Sequence, residues 1–109
     1  MLRILGVLIA LAAAGAAEAQ DSGRDIRLGK RIAEKNCANC HSIGLKGAST
    51  RKGAPPFRTL HRRYDLDNLQ EALVEGVAVG HRGADMPEFT FTPDQTDALI
   101  AYLKSLKGR

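Results

Sequence analysis

Five consecutive residues, Cys37-Ala38-Asn39-Cys40-His41, combine types and spacing that could do chemistry. Two thiols three positions apart, followed directly by an imidazole, match the Cys-x-x-Cys-His attachment site of a c-type haem. Each cysteine can form a thioether with a haem vinyl group, and the adjoining histidine then sits beneath the iron as its proximal ligand. Cys-x-x-Cys by itself has two other readings. A redox disulfide of the thioredoxin kind needs a surrounding βαβ pattern, which this chain lacks. A structural zinc site needs four ligands, commonly with a second Cys/His pair at short spacing. His61 and His81 are too far apart to form one. The adjacent His41 therefore selects haem c, one per chain and covalently held.

The rest of the ligand field can be sought in the sequence. His41 binds iron through one ring nitrogen, so the other needs an acceptor to fix the ring and raise its basicity. A backbone carbonyl of Gly53-Ala54-Pro55-Pro56 is the candidate, because proline fixes φ and stiffens its neighbourhood. The prolines could equally serve to rigidify a turn, and the two roles are compatible. For the opposite face of the iron, Met86 is the one methionine beyond the N-terminal segment. A thioether is a weak neutral ligand that favours ferrous iron and raises the potential. A lone methionine is more often core filler. Met86, however, lies in Gly83-Ala84-Asp85-Met86-Pro87 rather than on a helical stripe, which favours ligation. His81, five residues upstream, is the competitor and would lower the potential. His61 reads as a solvated or haem-propionate-facing residue.

These residues must be positioned by a small domain. The 109-residue chain has room for one. Residues 1–19 read as a secretory signal peptide: Arg3 is a short basic region, Ile4–Ala17 is apolar, and Ala17-Glu18-Ala19 fits small-x-small cleavage before Gln20. The alternative is an uncleaved anchor, but the apolar run is about 14 residues against the roughly 20 of a spanning helix. Export places residues 20–109, the haem-binding domain, in the periplasm. So small a domain usually needs a disulfide, metal or cofactor as a staple. Its two cysteines would close almost no loop as a disulfide, so a covalent haem is the more effective one.

Along that domain the pattern is helical from Asp25 to Asn36, with Leu28 and Ile32 four apart and Gly29 beside them. Gly29 weakens a helix; close approach of another helix would explain it, and a tolerated weak spot is the alternative. Ile43–Tyr64 has no periodicity and reads as a long loop over one edge of the cofactor, with Phe57 and Leu60 turned inward. Asp65 caps a second helix running to Glu75 with Leu66, Leu69 and Leu73 on one face. Gly76 follows its end, and Val77–Phe91 is irregular. The last helix opens with Thr92 as cap, Pro93 at its first position and Gln95 completing a capping box. Leu99, Leu103 and Leu106 form its apolar face, with Tyr102 at one margin. Lys104 and Lys107 complement its C-terminal dipole. No strand is needed, and the fold class is all-α, a few short helices and long loops.

The chain carries 16 basic and 12 acidic residues, a net charge of +4. Lys46, Arg51, Lys52, Arg58, Arg62 and Arg63 fall in one region. They could steer redox partners with acidic docking surfaces, or simply keep a loop solvated. Nucleic acid is a poor partner, for no binding motif is present and the leader directs the chain elsewhere. A membrane enters only through an uncleaved leader or a membrane-bound partner.

Taken together, Cys37-Ala38-Asn39-Cys40-His41, Gly53-Ala54-Pro55-Pro56-Phe57, the stretch from His81 through Met86-Pro87-Glu88-Phe89, and Leu99-Ile100-Ala101-Tyr102-Leu103 resemble class I cytochromes c, especially small monohaem bacterial periplasmic ones. The resemblance covers essentially all of Gln20–Arg109. It implies a cytochrome c fold in which the first and last helices cross closely, here Gly29 near Leu99 and Tyr102. It also implies a proline carbonyl, from Pro55 or Pro56, accepting from the proximal histidine. The function implied is one-electron transfer without ligand loss: an electron carrier and not an enzyme. Two other roles stay open, a haem subunit of a larger oxidoreductase and, if the sixth iron position is open, a gas-binding or catalytic haem protein.

Overall fold

The structure is a computed structural model that describes residues 22–75, 86–87 and 89–107. The leader, His81 and Glu88 lie outside the described residues. Those residues hold three α-helices and one 3₁₀ helix, with no strand among them. No helix among them is long and apolar enough to cross a membrane.

Helix α1 (residues 22–36) presents Gly29, Ile32 and Ala33 inward and Arg27, Lys30, Arg31, Glu34 and Lys35 to solvent. The buried residues recur at three- and four-residue spacing, as a one-faced helix requires. A 3₁₀ helix, Phe57–Arg62, follows the long connection. Its two buried side chains, Phe57 and Leu60, are three apart and therefore lie on one face at three residues per turn. The region read as loop from Ile43 to Tyr64 thus contains an element of its own. Its inward anchors are the two residues expected, because burying that pair is what holds this turn together.

Helix α2 (Leu66–Glu75) begins after Asp65, whose Oδ1 accepts from the Asp67 amide at 2.8 Å and satisfies one free N–H of the first turn. Leu66 and Leu73 are buried and Leu69 half-buried. Helix α3 (Pro93–Ser105) starts with the full capping box: Thr92 Oγ1 accepts from the Gln95 amide at 3.2 Å, and Gln95 Oε1 accepts from the Thr92 amide at 3.0 Å.

Helix α3 is the central element. It packs against α2 and the 3₁₀ helix, and α1 crosses it at Gly29. A β-carbon built on Gly29 would lie 2.0 Å from the Ala98 carbonyl oxygen and 2.7 Å from Tyr102 Cβ. The backbones therefore touch, and glycine is required for proximity rather than for an unusual φ. Packing on several sides buries more of α3 than the Leu99-Leu103-Leu106 stripe. Ala98, Ile100 and Tyr102 are buried as well. Tyr102, expected at a margin, is only 5% exposed because α1 covers that side. Polar contacts at the α2–α3 seam, Lys104 Nζ to Asp67 Oδ1 and Gln70 to Asp97, are exposed and add little stability.

Candidate functional site

The Cys-x-x-Cys-His segment is the continuation of α1. The Cys37 and Ala38 amides donate to the Ala33 carbonyl at 2.9 and 3.0 Å, and the Cys40 and His41 amides donate to the Cys37 carbonyl at 3.2 and 3.0 Å. Successive turns thus place Cys37, Cys40 and His41 within one short coil. Asn36 Nδ2 donates to the Ile32 carbonyl and closes the last helical turn. Neither cysteine is in a disulfide. Cys37 is buried, and before haem attachment that burial pushes its thiol up to about 11.

The chain after His41 folds back onto the motif. Gly47 and Gly53 both have φ of +92°, which β-carbon-bearing residues disfavour, and they reverse the backbone there. Ser42 gathers the loop. Its amide donates to Ser49 Oγ, its hydroxyl donates to the Lys46 carbonyl and accepts from Arg58 Nη1, and its carbonyl accepts from the Phe57 amide at 2.9 Å. The Arg51 amide donates to the Cys40 carbonyl at 3.1 Å.

This folding delivers a carbonyl to the imidazole. His41 Nδ1 lies 2.8 Å from the Pro55 oxygen. A carbonyl only accepts, so Nδ1 carries a proton, and in the neutral ring the lone pair is on Nε2. Of the two prolines it is Pro55 that meets the ring. The Pro56 carbonyl accepts instead from the Thr59 amide and hydroxyl. The Phe57 ring sits 5.1 Å from the imidazole and limits its rotation.

Met86 is half-buried and packed against the hydrophobic core, as are Ile43, Leu69 and Phe89. Pro87 beside it is exposed. His61 is half-buried in the last turn of the 3₁₀ helix. Among the basic residues, Lys46, Lys52, Arg62 and Arg63 are exposed, whereas Arg51 and Arg58 are half-buried. Arg58 is engaged with Ser42, so the basic region is partly structural.

The donor set fits a c-type haem. Two cysteines stand at the required spacing outside any disulfide, and the Pro55 contact on His41 Nδ1 leaves Nε2 as the nitrogen the neutral ring can offer to iron. Among the described residues no group of three His, Cys, Asp or Glu side chains is placed to hold a metal ion. Sequence reasoning did not anticipate the Ser42 hub or the hydrogen bond from the Tyr102 hydroxyl to the Ile43 carbonyl. A serine directly after the motif and a tyrosine in the last helix are visible in the chain, but nothing local names their partners.

An all-α fold with a Cys-x-x-Cys-His turn defines a c-type haem protein. The cytochrome c family model matches residues 26–107, three quarters of the chain, and the protein belongs to that family. Its small size fits class I. Comparison with curated proteins and with solved structures gives no match. Membership establishes a covalently attached c-type haem with its iron, and a haem-based role in electron transfer.

Proposed function

We propose that this protein is a periplasmic one-electron carrier, not an enzyme, with His41 and Met86 as the axial ligands and Cys37 and Cys40 as the thioether anchors. The haem, once bound, supplies a one-electron ferric/ferrous couple. The observation that carries the reading is the His41–Pro55 contact at 2.8 Å. It holds a proton on Nδ1, leaves Nε2 as the ligating nitrogen of the neutral ring and restrains the orientation of the imidazole. The free lone pair is what a permanent proximal ligand needs, and hydrogen bonding at Nδ1 raises its basicity. Met86, packed against the core rather than loose in solvent, supports a second permanent ligand. Phe57, Leu60 and the α3 leucines exclude water from the interior, which limits reorganisation when charge changes.

Export by a leader cleaved before Gln20 accounts for the first 19 residues. The exposed cations Lys46, Lys52, Arg62 and Arg63 support docking to redox partners with acidic surfaces.

The test is a visible spectrum of protein matured with c-type haem assembly machinery, oxidised and then reduced. Sharp low-spin bands on reduction, with a far-red methionine–iron charge-transfer band in the oxidised form, are expected. Low-spin bands without the far-red band replace Met86 by His81 or another strong ligand. A high-spin spectrum means an open iron and refutes the carrier reading in favour of gas binding or catalysis.

A further inference from the structure

We propose that Tyr102 is a positioning residue for the proximal histidine, acting through the backbone of Ile43. The inference rests on His41 as iron ligand. The bonds that shape the loop around His41 include those of Cys40 with Arg51, Ser42 with Phe57 and His41 with Pro55. Each begins and ends within residues 40–57. Phe57 opens the 3₁₀ helix, and the His41 amide reaches back to Cys37 at the end of α1, but none of these bonds reaches α3.

The Tyr102 hydroxyl supplies the tie to α3. It donates to the Ile43 carbonyl at 2.6 Å across a sequence separation of 59. Ile43 stands two residues beyond His41 and directly follows Ser42, the hub of the loop. The other end of Tyr102 is held at the α1–α3 crossing, where its Cβ faces the Gly29 backbone. Helix α1 leads directly into Cys37, Cys40 and His41. One side chain therefore bridges the helix entering the motif and the chain leaving it, and His41 lies between the two supports. Packing alone would be served by phenylalanine. The hydroxyl is short-bonded and its ring is 5% exposed, so its removal leaves the Ile43 carbonyl without this donor.

The experiment compares wild type with Tyr102→Phe as haem-loaded proteins, by native-state hydrogen exchange and by potentiometry. The reporters are the Arg51 and Phe57 amides and the His41 Nδ1 proton; the Leu69 and Thr96 amides in α2 and α3 are the references. Loss of one net hydrogen bond corresponds to about a fivefold change in an opening equilibrium. The expected result is about fivefold faster exchange at the loop reporters, beyond any change at the references, and an upward shift in potential. The shift follows because a looser Nδ1–H···O=C bond makes His41 a poorer donor. Exchange that rises equally at both sets, or not at all, with an unmoved potential, makes Tyr102 a packing residue and overturns the proposal. Should Tyr102→Phe fail to mature, 3-fluorotyrosine at position 102 gives the converse measurement at pH 6. A stronger donor should slow the loop reporters below wild type, and unchanged exchange refutes the role. Failure of His41 ligation would show separately, in the spectrum of the wild-type protein.

Discussion

Adding one methyl group at position 29 should destabilise this domain by forcing its two crossing helices apart. In an isolated helix Gly29→Ala is favourable by about 1 kcal/mol, because alanine loses less backbone entropy. Here the new carbon would sit 2.0 Å from the Ala98 carbonyl oxygen, 2.7 Å from its carbonyl carbon and 2.7 Å from Tyr102 Cβ, where ordinary contact begins at 3.4 Å. Two of those three atoms are backbone, so no rotamer change relieves the overlap. Helices α1 and α3 must part by about 1.4 Å to restore ordinary contact, and the contacts of Ala33, Ala98 and Leu99 are loosened with them. Overpacking of this kind costs about 3 kcal/mol at the upper end of its usual range. Subtracting the propensity gain leaves a net loss of about 2 kcal/mol, or roughly 8–16 °C in Tm for a domain of this size. Urea unfolding of the haem-loaded protein, followed by far-ultraviolet circular dichroism, measures it. Gly44→Ala is the control, since nothing lies within 4 Å of a β-carbon there, and it should stay within about 0.5 kcal/mol of wild type. A Gly29→Ala protein as stable as the parent would refute the close crossing.

Met86→Ala should leave the haem attached through Cys37 and Cys40, lower the potential and let carbon monoxide bind the reduced iron; redox titration and a carbon monoxide difference spectrum check this. Thr92→Ala removes the side-chain acceptor for the Gln95 amide and should reduce stability by about 1 kcal/mol in urea, with the visible spectrum unchanged. Burial, and secondarily the charge of Glu34, raise the Tyr102 phenol above its ordinary 10. The neutral phenol is the bonded form, so its contribution is complete below pH 10 and is lost as pH climbs through the raised folded value. The stability difference between wild type and Tyr102→Phe should therefore be flat up to pH 10 and shrink above it, as urea midpoints across pH 7–11 will show.

Local rules account for the parts of this protein that are written in neighbouring residues. Cys37, Cys40 and His41 are legible because haem attachment needs those groups at that spacing, with no help from distant chain. The α3 capping box is legible for the same reason: Thr92, Pro93 and Gln95 satisfy backbone groups within one turn. The Phe57 and Leu60 anchors were also readable, whereas the 3₁₀ helix that carries them was not, since six residues with two buried side chains are too few to display a period. Tertiary structure alone decided which carbonyl meets His41. Pro55 and Pro56 are chemically alike, and the choice comes from the positive-φ turn at Gly53 and the capture of the Pro56 oxygen by Thr59. It also decided that Tyr102 is interior and bound to Ile43, because a face becomes buried only when another helix, here α1, is laid across it. Spacing along the chain specifies chemistry between neighbours, but contacts across 59 residues exist only once the backbones of α1 and α3 have closed at Gly29.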